Sequence, residues 1–92
     1  MSKPTRNQMD LLYVLTLGLT FRISYKGSEI HRKCGDSVLR KTTFDLFRAN
    51  KWIRLYSECY EEKGPWLAIC VESRYAISEH GRKTYKRYGV SP

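Results

Sequence analysis

From Thr5 onward, Met9, Leu12 and Leu15, with Leu11 beside them, recur at helical spacing and predict a first helix ending near Leu17. Thr5 or Asn7 can cap its start, and Gly18 supplies the left-handed residue that commonly stops a helix. The period then shortens. Phe21, Ile23 and Tyr25 alternate with Arg22 and Ser24, the pattern of a half-buried strand ending at Lys26-Gly27. The stretch Ser28 to Gly35 has Ile30 as its only strong apolar anchor, so it reads as a returning hairpin strand or a short second helix, with the hairpin slightly favoured.

Gly35-Asp36-Ser37 offers a turn and a capping side chain for a helix over Val38–Asn50, which lacks Pro and Gly and places Leu39, Thr43, Phe44 and Phe47 at helical intervals. Alternation returns at Ile53, Leu55, Ser57 and Cys59. After a polar tip, Glu61-Glu62-Lys63-Gly64-Pro65, comes a second β-prone run from Trp66 to Val71. The two runs predict an antiparallel hairpin. Arg74 to Ile77 extends it, Ser78 can cap, and Glu79 to Tyr88 forms a short basic helix with Tyr85 and Tyr88 as apolar anchors.

The order helix, strand, uncertain element, helix, hairpin, helix is that of a winged helix, and two motifs carry the resemblance. Thr43-Phe44-x-x-Phe47-x-x-x-Lys51-x-Ile53 resembles the end of a winged-helix recognition helix, with Lys51 where the family usually has glycine. Tyr75-Ala76-Ile77-Ser78-Glu79-His80-Gly81-Arg82 resembles the Tyr-x-Leu-Thr-x-x-Gly-Arg sequence that closes the wing in many bacterial, archaeal and phage regulators. Together the motifs cover about the C-terminal half of the chain. The resemblance implies an α+β winged helix-turn-helix domain with three helices and a β-hairpin wing, the second helix being replaceable by a hairpin. Small size and the missing second helix resemble phage or plasmid versions of the fold. A single domain over residues 1–92 is expected, with fraying at 1–4 and 89–92.

Composition narrows the function. The 92 residues allow one small core, and an apolar share of 41% is enough to fold one. A formal charge of +8 favours a polyanionic partner. Cys34, Cys59 and Cys70 are an odd, widely spaced set that suits reduced thiols rather than a disulfide framework. Cys59 and Cys70 are expected as buried small apolar residues on facing strands. His31-x-x-Cys34 lacks a second ligand pair, so no metal is expected. The run Leu11 to Phe21 is about half of what a membrane-spanning helix needs. No phosphate-cradling Gly-rich loop or nucleophile-and-base set is present, and neither catalysis nor a cofactor is expected. The expected setting is a cytoplasm, near the nucleoid, or that of a host for a phage protein.

The resemblance implies double-stranded DNA as the partner and the helix over Val38–Asn50, the third helix in the family's order, as its reader in the major groove. Leu39, Phe44 and Phe47 on the core side leave Lys41, Asp45 and Arg48 on the open side, so Arg40, Lys41, Thr42 and Arg48 are the expected contacts. Arg32 and Lys33, and Arg22 or Lys26 if the first hairpin packs alongside, would meet phosphates. Lys63 can reach a phosphate from the wing, but Glu61 and Glu62 beside it repel one. Those carboxylates and Trp66 favour an alternative, a winged helix that binds a protein partner through its wing. Homodimerisation is left open.

Overall fold

The structure, a computed structural model, describes residues 3–89. It is an α+β fold: α1 (Arg6–Thr16), β1 (Phe21–Lys26), β2 (Glu29–Cys34), β3 (Ser37–Val38), α2 (Lys41–Ala49), β4 (Ile53–Gly64), β5 (Leu67–Ile77) and α3 (Glu79–Tyr88). The strands form one antiparallel sheet in the order β3-β2-β1-β5-β4.

Helix α1 begins with a reciprocal cap. The Gln8 amide donates to Thr5 Oγ1, and the Thr5 amide donates to Gln8 Oε1 at 2.9 Å, which satisfies two otherwise orphaned donors. Leu12 and Leu15 are fully buried, and the helix stops at Gly18. Strand β1 returns into β2 through Gly27-Ser28, pairing Lys26 with Glu29. The segment Ser28 to Gly35 is therefore a hairpin strand and not a second helix.

The start of α2 corrects the sequence reading. Asp36 and Ser37 do not cap it: Gly35-Asp36 forms a turn, and Ser37-Val38 pairs with Cys34-Lys33 as β3. The Leu39 amide then donates to the Arg32 carbonyl at 2.8 Å, and Arg40 takes the cap position with no side-chain hydrogen bond. The good capping residues are used by the hairpin, so the helix begins later than its apolar spacing alone suggests.

One face of the sheet carries the core. Phe21, Ile23, Ile53 and Ile77 project from it against Leu12 and Leu15 of α1 and Phe44 and Phe47 of α2. Phe21 meets Phe47 with ring centroids 5.2 Å apart, and Phe47 meets Trp52 edge-on at 5.1 Å. Trp52 is thus a core residue, although its buried Nε1 has no hydrogen-bond partner among the described residues. Helix α3 lies against α1 through Tyr13 and Tyr85. Its fully buried positions are Gly81 and Thr84, while the expected anchors Tyr85 and Tyr88 are half-buried. Of the ends expected to fray, Pro4 is buried and the Gly89 amide bonds Tyr85; residues 1–2 and 90–92 lie outside the described residues.

The C-terminus of α2 is tied to α3. The Lys51 amide donates to Arg48 and the Trp52 amide to Phe47, both at 3.0 Å, which is the Schellman arrangement. It needs a left-handed residue, and Lys51 supplies one at φ 58. Because a side chain is strained there, Lys51→Gly should stabilise the fold by about 1 kcal/mol, read as a rise in Tm of roughly 4 to 8 °C. A fall in Tm would mean that the lysine side chain makes a contact worth more than the strain. The Ser78 hydroxyl donates to the Lys51 carbonyl at 2.6 Å and also accepts from the Gly81 amide at 2.9 Å, so one side chain caps α3 and holds the end of α2.

Strands β4 and β5 continue well past β1, whose pairing with β5 ends at Ser24 and Glu72. The sequence tip Glu61–Gly64 is strand, and the turn lies at Pro65-Trp66. The projecting arm accounts for extents of 57 × 23 × 22 Å and a radius of gyration of 14.8 Å, against about 12 Å for a compact chain of this length.

Candidate nucleic-acid interface

Helix α2 is held from behind and open in front. Phe44 and Phe47 fasten it to Phe21, and Phe44 also packs edge-on against Tyr75 at 5.0 Å. These anchors leave Arg40, Lys41, Thr42, Asp45 and Arg48 exposed. Lys41 Nζ lies 3.0 Å from Asp45 Oδ2, an exposed pair one turn apart that is easily exchanged for another partner. The Arg48 guanidinium sits 5.7 Å from the ring centroids of both Phe44 and Tyr75, a cation–π placement that holds it beside the helix anchors while the residue stays exposed. No acidic residue stands in the first turn of α2.

The candidate residues do not all share this surface. Arg32 pairs with Ile23, which puts it on the core face of the sheet, half-buried, with its carbonyl accepting from the Leu39 amide two residues ahead of α2. Lys33 pairs with Arg22 and projects from the opposite face. Lys63 stands near the end of the arm, beyond Leu55 by about 27 Å at roughly 3.4 Å per residue, and is paired with Glu61 at 3.0 Å. Arg40, Lys41, Thr42 and Arg48 therefore form one surface, with Arg32 behind its start and Lys33 and Lys63 elsewhere.

The arm is acidic and apolar. Glu58, Glu61 and Glu62 outweigh Lys63, and Tyr60, Leu67 and Ile69 are exposed along it. Trp66 at the turn is 96% exposed. The Tyr60 hydroxyl donates to Glu58 at 3.0 Å, a bond that, together with the charge of that carboxylate, raises the Tyr60 pKa. The cysteine expectation is corrected here. Cys59 is exposed and faces Glu72, while Cys70 is half-buried and faces Tyr60, because the arm has no second layer to cover it. Cys34 is buried, and burial pushes its thiol pKa up.

Two cations missed in the sequence reading, Arg54 and Arg74, project from the sheet face away from α2, as the pairing of Arg74 with Arg22 and of Arg54 with Ala76 requires. Their signal was the alternation of each with an inward apolar neighbour, Ile53 and Tyr75. Among the described residues, no group of three or more His, Cys, Asp or Glu side chains is placed to hold a metal ion, and no helix is long and apolar enough to cross a membrane. No model of a known protein family matches the chain, and neither the curated proteins nor the solved structures contain a match to it.

Proposed function

We propose that this protein is a sequence-specific DNA-binding regulator of the winged helix-turn-helix kind, acting in a cytoplasm without catalysis and presenting α2 to the major groove. The observation that carries this reading is the α2 surface, where Arg40, Lys41, Thr42 and Arg48 stand exposed on a helix anchored by Phe44 and Phe47. Arginine and lysine reach guanine O6 and N7 there, and threonine holds phosphate. At about 1.5 Å per residue the helix is about 14 Å long, so one groove accommodates its exposed face. Further support comes from β1 lying beside β5 and from Lys51, Ser78 and Gly81, which join the reading helix to the last helix through the two motifs that resemble the family.

Selection from a random-sequence duplex pool at two salt concentrations tests it. The expected result is one enriched motif that survives the higher salt; an unenriched pool whose binding vanishes in salt would show that the charge reads nothing.

A second reading rests on Trp66. A tryptophan this exposed, on an arm whose carboxylates repel phosphate, suits a protein partner. Because Trp66 supports no core, Trp66→Ala should change stability by less than about 0.5 kcal/mol and leave DNA affinity unaltered while abolishing capture of that partner. DNA affinity that falls with the tryptophan would instead place the arm on the duplex.

A further inference from the structure

On the sheet face that no helix covers, three cations stand in one cross-strand row: Lys33 on β2 faces Arg22 on β1, which faces Arg74 on β5. Arg54 on β4 lies diagonally beyond Arg74, opposite Ala76. Like charges directly opposite one another destabilise a sheet. Here one carboxylate, Glu72, serves two of them, 3.8 Å from Arg22 and 3.2 Å from Arg74, and Lys33 and Arg54 have no carboxylate partner among the described residues. Two depressions meet at Arg22. One is lined by Gly18, Leu19, Thr20, Gly35 and Arg74, the other by Ser24, Lys26, His31 and Lys33. Four strands at about 4.8 Å spacing make the run from Arg54 to Lys33 about 14 Å long, the axial length of about four phosphates on one DNA strand.

We infer that this face is a second nucleic-acid surface, one that holds the phosphate backbone of a duplex segment other than the one met by α2, so that a single molecule joins two segments. The inference rests on the DNA-binding reading for the identity of the polyanion, but on different residues. Cations set in a row across an open five-stranded sheet, with no helix to carry them into a groove, suit phosphates, so binding here adds affinity rather than sequence preference.

The experiment compares wild-type protein, the sheet variant Arg22→Gln/Lys33→Gln/Arg74→Gln, and the helix variant Arg40→Gln/Lys41→Gln. A labelled random 30-base-pair duplex reports affinity across salt concentrations, and energy transfer between donor- and acceptor-labelled duplexes reports joining. The sheet variant is expected to lose about 2.7 units of the log-log salt slope, at about 0.9 for each phosphate contact, to bind at least tenfold more weakly, and to lose joining. Its Tm should change little, because relief of the like-charge row offsets the loss of both Glu72 ion pairs. Lys26→Gln/Arg54→Gln, which disturbs no ion pair seen in the structure, should lower the slope by about 1.8 units and guards against misfolding of the triple variant. An unchanged slope in both sheet variants overturns the inference, as does tighter binding of wild-type protein to phosphatidylserine vesicles than to duplex at equal salt. Binding of the selected motif relative to the random duplex reports sequence preference; its loss belongs to the helix variant alone, so retained preference there overturns the reading of α2 and leaves the sheet face standing.

Discussion

Gly81→Ala is expected to destabilise the protein by about 3 kcal/mol, near the upper end of overpacking costs, and to lower Tm by roughly 12 to 24 °C. A Cβ at this position would overlap the Trp52 carbonyl oxygen and lie 2.8 Å from Ile77 Cγ1. Neither obstacle is a flexible side-chain end. The Trp52 carbonyl accepts the Ser78 amide at 2.8 Å, and Ile77 is a buried core residue paired with Ile53. To admit one methyl group, α3 must withdraw from the end of α2, which also pulls on the Ser78 hydroxyl bond to Lys51. Thermal unfolding followed by far-ultraviolet circular dichroism checks this. A Tm within a few degrees of wild type would mean that the junction between the helices yields, and that α2 is less firmly held than its packing implies.

Arg40→Glu/Lys41→Glu should weaken binding to the selected duplex by about 100-fold or more, equivalent to about 2.8 kcal/mol, with little change in stability. The fold should tolerate the pair. Arg40 makes no capping bond, and both side chains are exposed. Reversing Lys41 replaces an ion pair with a repulsion from Asp45, a change of a few tenths of a kcal/mol on an exposed helix face. Two new negative charges at a helix N-terminus are favoured by its dipole and offset that. Binding therefore falls because attraction to phosphate and guanine becomes repulsion. Equal affinity of variant and wild type for the selected motif would remove this helix as the reader.

What the sequence revealed follows the range of the forces involved. The three helices, the stop at Gly18 and the cap at Ser78 were legible because apolar spacing and caps act within a turn or two. The start of α2 was misread because Asp36 and Ser37, good caps by type, are used elsewhere, Asp36 in the turn and Ser37 paired with Cys34, and a two-residue strand leaves no periodic trace. The length of the arm was hidden because Glu61-Glu62-Lys63-Gly64 has weak strand propensity and is extended by its partner strand. Lys51 sat where a glycine was anticipated, and its positive φ shows that the turn keeps the glycine geometry without the glycine. In the candidate site, the open face of α2 was legible from helical spacing. The row Lys33, Arg22, Arg74 was not, since it exists only once register sets three distant residues side by side.

The measurement closest to the central claim is a titration of ¹⁵N-labelled protein with the selected duplex, followed by amide chemical shifts. If α2 reads DNA, the largest shifts should fall on residues 40–48, with smaller ones on Arg22, Lys33 and Arg74 as a second duplex engages and none at Trp66. Shifts centred on the arm, or absent from residues 40–48 at saturation, would contradict the account.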